Sequence, residues 1–439
     1  MANIKPFKGY RYNTEKTGDL KKVVSPPYYN IKPTEKEILY NLSKYNSVRL
    51  FSGMNDDKDD ETHNRFTRAA EYLKNWINDG ILVRDDEPAI YMYEQTLDVH
   101  NVQYKNRSFV ALVELEEFSH GVIMPCEETR EVSRQDRYDF LTHTNADLSM
   151  ISCLYMEREK DLLNLMTEVS EEEPAAEFDS FDDIHQRLWK ITDKKTIDFI
   201  TERFKDIQLY ITDGQTRYET CLKYRDYMRE NNPNHTGDEP YNYTMVSLSN
   251  SSADGIAILP VHRKIKMPKG FKSDYFIAGI QDHFKVEKII VDSQDEQIAD
   301  TMKKQIATAR HETKIAVYYE GDFFYRITLL DKEYIKKEIL PDMSEAYCSL
   351  DMVVLHNLII DDVLHIKKDD YAKCVHSSRS AHRCVESVEN GESDVVFIMN
   401  PVKSDQIRSV VAAGEKLPLR TLSVFPKPSV GVLINIMED

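Results

Sequence analysis

The stretch "IQLYITDGQTRYETCLKYRDYM", residues 207–228, changes hydrophobic period at its middle. Ile207, Leu209 and Ile211 alternate, as a strand does, whereas Tyr218, Cys221, Leu222 and Met228 recur at helical spacing. Between them Asp213-Gly214-Gln215-Thr216-Arg217 forms a tight polar turn. A strand that hands over directly to a helix belongs to a chain that layers helices on a sheet. The fold expected is therefore α/β, or α+β.

Patterns elsewhere agree. Phe66, Ala69, Leu73, Trp76 and Ile77 make an apolar stripe that ends at Asp79-Gly80, where glycine suits a left-handed helix cap. Strands are expected at 89–96 and 107–116, and a flexible loop at the acidic stretch 170–183. A further polar excursion is expected at 229–240. Beyond 266 the spacing predicts helices near 273–284 and 294–310. A hairpin then turns at Glu320-Gly321-Asp322, and a strand follows at 394–401. A length of 439 residues allows two or three domains, expected as 1–265, 266–345 and 346–439.

Composition excludes several classes. A net charge of −18 opposes a nucleic-acid clamp, although a few donors in a pocket can still hold a small anion. No apolar run approaches the roughly 18 residues of a membrane helix, and "MANIKPFKGY" carries no signal-like apolar segment. Six cysteines in a chain this long read as reduced thiols, so a cytoplasmic location without membrane partners is expected. No two of the 14 glycines lie closer than nine positions, which rules out both GxGxxG and GxxxxGK[ST]. A phosphate site must be built another way.

The turn at 213–217 offers one. Glycine permits the sharp bend, the helix start presents free N–H groups, and Arg217 adds a bidentate cation. Asp213 is suited to a metal ligand, a general base or a helix cap, and the alternative for Arg217 is pairing with a neighbouring acid. Glu127 and Thr129 in "PCEETR" offer a base and a hydroxyl, or a capping pair. Cys126 has no base nearby in sequence and reads as inert. His262-Arg263 in "LPVHRK" would reach an anion or form a structural ion pair. Cys374, His376, His382 and Cys384 do not have a usual zinc spacing, and Asp351 and His356 read as packing residues of the last domain.

Ordered stretches carry a family likeness. They include "IKPFKGYRYN" (4–13), "VVSPPYYNI" (23–31), "VIMPCEETREVSRQDR" (122–137), "YITDGQTRYETCLKYR" (210–225), "ILPVHRKI" (258–265) and "AAGEKLPLRTLSVFPKP" (412–428). Over nearly its whole length the chain resembles the bacterial and archaeal family called domain of unknown function 1015. That family's central turn, Asp-Gly-His-His-Arg, is similar to the phosphate-binding turn of the ParB and sulfiredoxin group, which includes free-serine kinases using ADP or ATP. The resemblance implies a mixed-sheet core of that type and a nucleotide-binding, phosphotransferase-like protein acting on a small hydroxylated metabolite. It also implies Mg2+ with ADP or ATP as cofactors, and leaves a homodimer open.

On this resemblance Gly214, Gln215, Thr216 and Arg217 lie along phosphates, helped by His262 and Arg263. Asp213, Glu127 and Arg217 are the expected catalytic residues, with Asp213 also the metal ligand. The chain departs from the family at three places. Gln215 and Thr216 replace the paired histidines, Cys126 replaces a histidine, and Tyr29 replaces an aspartate in Pro26-Pro27-Tyr28-Tyr29. Glutamine and threonine still bond phosphate oxygens but do not titrate near neutrality, so binding should survive better than proton transfer. A non-catalytic nucleotide or metabolite sensor and a phosphatase of a small phospho-metabolite are the competing readings.

Overall fold

A computed structural model describes residues 2–27, 31, 33–99, 102–129, 131–157, 159–253, 255–267, 270–291, 297–307 and 312–437. Tyr28, Tyr29 and the ends of the expected 294–310 helix lie outside these residues. Contacts divide the chain into two units. The first comprises Met1–Pro125, Thr129–Ala257 and Val424–Asp439; the second comprises Cys126–Glu128 and Ile258–Ser423.

The first unit is built on a nine-stranded mixed sheet. Its order is Ile123–Pro125, Leu209–Asp213, Ile151–Tyr155, Tyr243–Asn250, Val102–Glu114, Ile90–Val99, His185–Ile191 and Ala176–Asp179, with Ile4–Lys5 also on Val102–Glu114. Two neighbouring pairs are parallel, Ile123–Pro125 with Leu209–Asp213 and Ile151–Tyr155 with Tyr243–Asn250. The sheet is apolar on both faces, because alternate residues of each central strand are buried on opposite sides. Ile90, Met92, Phe109, Ala111, Val246 and Leu248 share one core with Ile200, Phe204, Tyr218 and Cys221 of the covering helices. Tyr91, Tyr93, Val110, Leu112 and Met245 share the other with Leu39, Leu73 and Trp76.

The helix expected from the 66–77 stripe spans Arg65–Asn78 and buries Ala69, Leu73 and Trp76. Asn64 caps its start and Gly80 follows its end at φ +65°. The 170–183 stretch departs from its expected loop. Ala176–Asp179 pairs antiparallel with His185–Ile191, burying Phe178 and turning Glu177 and Asp179 outward. An edge strand needs only one apolar face, and that alternation was hidden under the acidic composition. The helix after Gly214 runs to Asn231, taking the first three residues of the expected 229–240 excursion.

The second unit carries a six-stranded antiparallel sheet. Its order is Phe284–Ile290, Phe323–Leu329, Lys314–Tyr318, Val395–Ile398, His262–Ile265 and Val375–Ser378. Lys314–Tyr318 and Phe323–Leu329 form the expected hairpin. Helices Ile298–Ile306 and Ala381–Glu389 pack Met302, Ile306, Cys384 and Val385 against Ala316, Val396 and Ile398. Boundaries drawn at 265 and 345 run through this one sheet, since its strands are paired across long sequence separations that local periodicity does not register. No helix among the described residues is long and apolar enough to cross a membrane.

The last segment returns to the first unit. Val430, Val432, Leu433 and Ile434 are buried in the core that holds Tyr91 and Trp76. Tyr10 N–H donates to the Ile434 carbonyl at 2.9 Å and Ser25 N–H to that of Val430 at 2.9 Å. Leu433→Ala should therefore cost about 2–5 kcal/mol in urea unfolding, as for other buried leucines. A loss below about 1 kcal/mol would show that this segment is not part of the core.

Candidate functional site

The strand Leu209–Asp213 is held between Ile123–Pro125 and Ile151–Tyr155, and its register slips between Ile211 and Asp213. That irregularity sets Asp213 opposite Ser152. Gly214 follows at φ +86°, a left-handed conformation that strains other residues. A Cβ there would lie 2.5 Å from Arg217 Nη2, so the guanidinium folds back over the glycine. The helix Gln215–Asn231 then begins with no side chain capping its first N–H groups. Tyr218, Cys221 and Leu222 on its inner face anchor it to the sheet.

Three charges meet at this junction. Asp213 accepts from Arg217 Nη2 at 3.0 Å and from Lys427 Nζ. Arg217 Nη2 also donates to the Met150 carbonyl at 2.8 Å. The side chains of Asp213, Lys427 and Arg217 are only 10%, 12% and 16% exposed. Burial opposes ionisation of Asp213, but the Lys427 ammonium and Arg217 guanidinium outweigh it and hold the carboxyl below its ordinary range. Two cations against one carboxylate leave the junction with a net positive charge. Arg217 Nε is a buried donor without a partner.

This geometry recasts Asp213. A carboxylate already bonded to two cations is a counter-ion. Its depressed pKa makes it a poor base, and a divalent metal would meet two like charges beside it, so Mg2+ does not fit there. Among the described residues no group of three or more His, Cys, Asp and Glu is placed to hold a metal. Gln215 Nε2 donates to Glu219 at 3.1 Å, as does Thr129 Oγ1 at 2.8 Å. The Thr216 carbonyl accepts from Thr220 Oγ1 at 2.7 Å. Lys427 was missed by sequence reasoning. Its only signal was its place in the family-like stretch 412–428, some two hundred positions from the turn it serves.

Beside Arg217 lies a cavity of about 50 Å³, lined also by Arg137, Asp147 and Thr220. That is room for a water or two, whereas ligand pockets are about 300–1,000 Å³. Any nucleotide at this turn must lie outside it. Asp147 is buried and accepts from Thr244 Oγ1, Met245 N–H and Asn435 Nδ2 at 2.9–3.0 Å. Burial still raises its pKa against these bonds.

The other expected residues belong to the second unit. Glu127 Oε1 accepts the backbone N–H groups of Thr421 and Leu422, so it ties down a loop. His262 and Arg263 are 1% and 2% exposed. Arg263 donates to the Leu419 and Arg420 carbonyls at 3.1 Å, and burial lowers its pKa to about 10. His262 Nδ1 accepts from Met399 N–H at 3.1 Å, and burial lowers that histidine to about 4, so it is neutral. Both would have to move to meet an anion from solvent. The structural reading of this pair rests on hydrogen bonds to carbonyls and a backbone N–H instead of an ion pair. Cys126 is buried, and burial raises its thiol far above the ordinary range. Burial likewise lowers His356 to about 3 and raises Asp351 to about 6.

Among curated proteins none matches the chain. Of solved structures, a conserved hypothetical protein from Pyrococcus furiosus is 12% identical over 75% of this chain and 95% of that one, with a TM-score of 0.35. A free serine kinase variant in complex with AMP is 12% identical over 74% and 92%, with a TM-score of 0.35. A C-terminally truncated SbnI from Staphylococcus aureus is 10% identical over 74% and 87%, with a TM-score of 0.36. Likenesses at this level carry neither a site nor an activity across. The family model described as "Protein of unknown function (DUF1015)" matches residues 4–353, most of the length, and the chain belongs to that family.

Proposed function

We propose that the protein binds a nucleotide through its phosphates at the 213–217 turn and acts as a phosphotransferase on a small hydroxylated metabolite, in the manner of a free-serine kinase. The observation that carries this reading is the uncapped helix start beside Gly214, where Arg217 keeps a buried, unpartnered Nε and a net positive charge remains. Helix N–H groups, a guanidinium and an ammonium together suit a phosphate. An incoming phosphate competes with Asp213 for Arg217 and Lys427, so binding exchanges one anionic partner for another. Gly214 leaves room for the Arg217 guanidinium to fold over the turn, where a phosphate would meet it.

A sensor without catalysis is the second reading, and one observation favours it. Gln215 and Thr216 cannot transfer a proton at neutral pH, and Asp213 is held ionised by its two cations. Catalysis would then rest on positioning and charge neutralisation alone, which phosphoryl transfer tolerates better than most reactions.

Incubation with L-serine, Mg2+ and ADP or ATP, followed by 31P NMR, separates the two readings. Phosphoserine supports the kinase, and a nucleotide-induced rise in Tm without product supports the sensor. The absence of both phosphoserine and a nucleotide-induced rise in Tm would overturn both readings. Arg217→Ala should weaken nucleotide binding at least about tenfold, the scale of one charge-assisted hydrogen bond. Unchanged affinity by calorimetry would move the site elsewhere.

The Asp213 ion pairs also predict an acid response. Because its folded pKa is depressed, the stability it contributes is complete above the ordinary carboxylate range of about 4 and is lost as pH falls through the folded value. Lys427→Met removes one of the two opposing cations and should shift acid unfolding, followed by circular dichroism, to higher pH. A midpoint that stays in place would mean Lys427 is not the counter-ion.

A further inference from the structure

The face of the first sheet that carries Asp213 is polar toward one end. Gln95 continues the side of Tyr91 and Tyr93, and Asn106 lies directly across from it on Val102–Glu114, on the side of Ser108 and Val110. Both amides are buried, at 1% and 6% exposure. Gln95 Nε2 donates to the Lys427 carbonyl at 3.0 Å, which fixes the orientation of that amide. Its Oε1 is then an acceptor aimed away from that bond, and it has no partner. Asn106 Oδ1 is likewise buried and unpartnered. Two unpaired amide oxygens on facing strands are a local cost that packing alone does not explain.

Lys427 ties this pair to the charged junction. Its carbonyl meets Gln95, while its Nζ meets Asp213. One residue thus joins the two patches, through its backbone at one and its side chain at the other. Ser152, which faces Asp213 across the bulge, adds a third buried oxygen without a partner, this one a hydroxyl.

We propose that Gln95 and Asn106 form the acceptor subsite of this protein, receiving a hydrogen-bond donor group, an ammonium or a hydroxyl, of a small polar ligand whose anionic end lies toward Arg217 and Lys427. The inference rests on the phosphotransferase reading for the ligand's role, but its geometry is independent of the nucleotide. Carbonyl oxygens accept and do not donate, so they select donor-bearing groups and reject carboxylates and phosphates. Gln95 and Asn106 thereby orient the ligand so that its two ends cannot exchange places.

The test uses the full chain and three probes in calorimetric titrations: L-serine with both donors, glycerol with hydroxyls only, and glycine with the ammonium. ADP is titrated separately. At least one probe should bind the native protein, and Gln95→Leu and Asn106→Leu should each weaken it tenfold or more while ADP affinity changes less than twofold. Asn106→Leu removes an unpaired amide oxygen and should melt a few degrees higher, whereas Gln95→Leu also loses the bond to the Lys427 carbonyl and should show no such gain. Should leucine prevent folding, Gln95→Met and Asn106→Ser take its place. No probe bound while ADP binds would overturn the subsite and spare the nucleotide reading. Probe binding lost in the variants with no ADP binding would keep the subsite and remove the phosphate berth. Probe affinity unchanged in the variants would mean that the two amides hold ordered water only, and the inference fails.

Discussion

The buried contact of Asp213 with Arg217 and Lys427 is the constraint on which the rest of the site depends. A carboxylate this enclosed stays ionised only because two cations repay part of its lost hydration, and removing one partner from such a cluster is typically worth about 3–5 kcal/mol. The cluster therefore does two things at once. It joins the last segment of the chain to the central strand–helix turn, and it holds positive charge beside a helix start. The structural tie and the proposed anion berth would use the same atoms.

That double use accounts for the split among the expected site residues. Arg217 and Gly214 sit at the turn with a donor to spare, whereas Gln215 and Thr216 are spent partly on the helix itself through Glu219 and Thr220. Glu127 and Arg263 satisfy backbone groups around 419–422, one accepting from two N–H groups and the other donating to two carbonyls. Charged residues that match a family's motif need not share one role. Burial and partners divide them.

Much of the architecture was legible because it is local. The period switch at 207–228 marked the strand, the glycine and the helix, and the stripe at 66–77 with Gly80 marked a helix and its end. The hairpin after Lys314 was legible for the same reason, since a short Glu-Gly-Asp turn joins two adjacent apolar runs. The acidic stretch before His185 was not, because composition masked a two-residue alternation in which only Ala176 and Phe178 face the core.

By itself the sequence determined the strand and helix on either side of Gly214, the helix of the 66–77 stripe, the hairpin after Lys314, the left-handed turns at Gly80 and Gly214, and that a cation stands in the first turn after Gly214. Each follows from interactions within a few residues. Only the tertiary structure decided that Lys427 would neutralise Asp213, that Gln95 and Asn106 would face one another with oxygens unpaired, and that strands on both sides of residue 346 would share a sheet. The first and last of these arise from pairings between distant segments and the second from the register of two adjacent strands, and in each case register is chosen by the burial of whole faces and leaves no period in the local sequence.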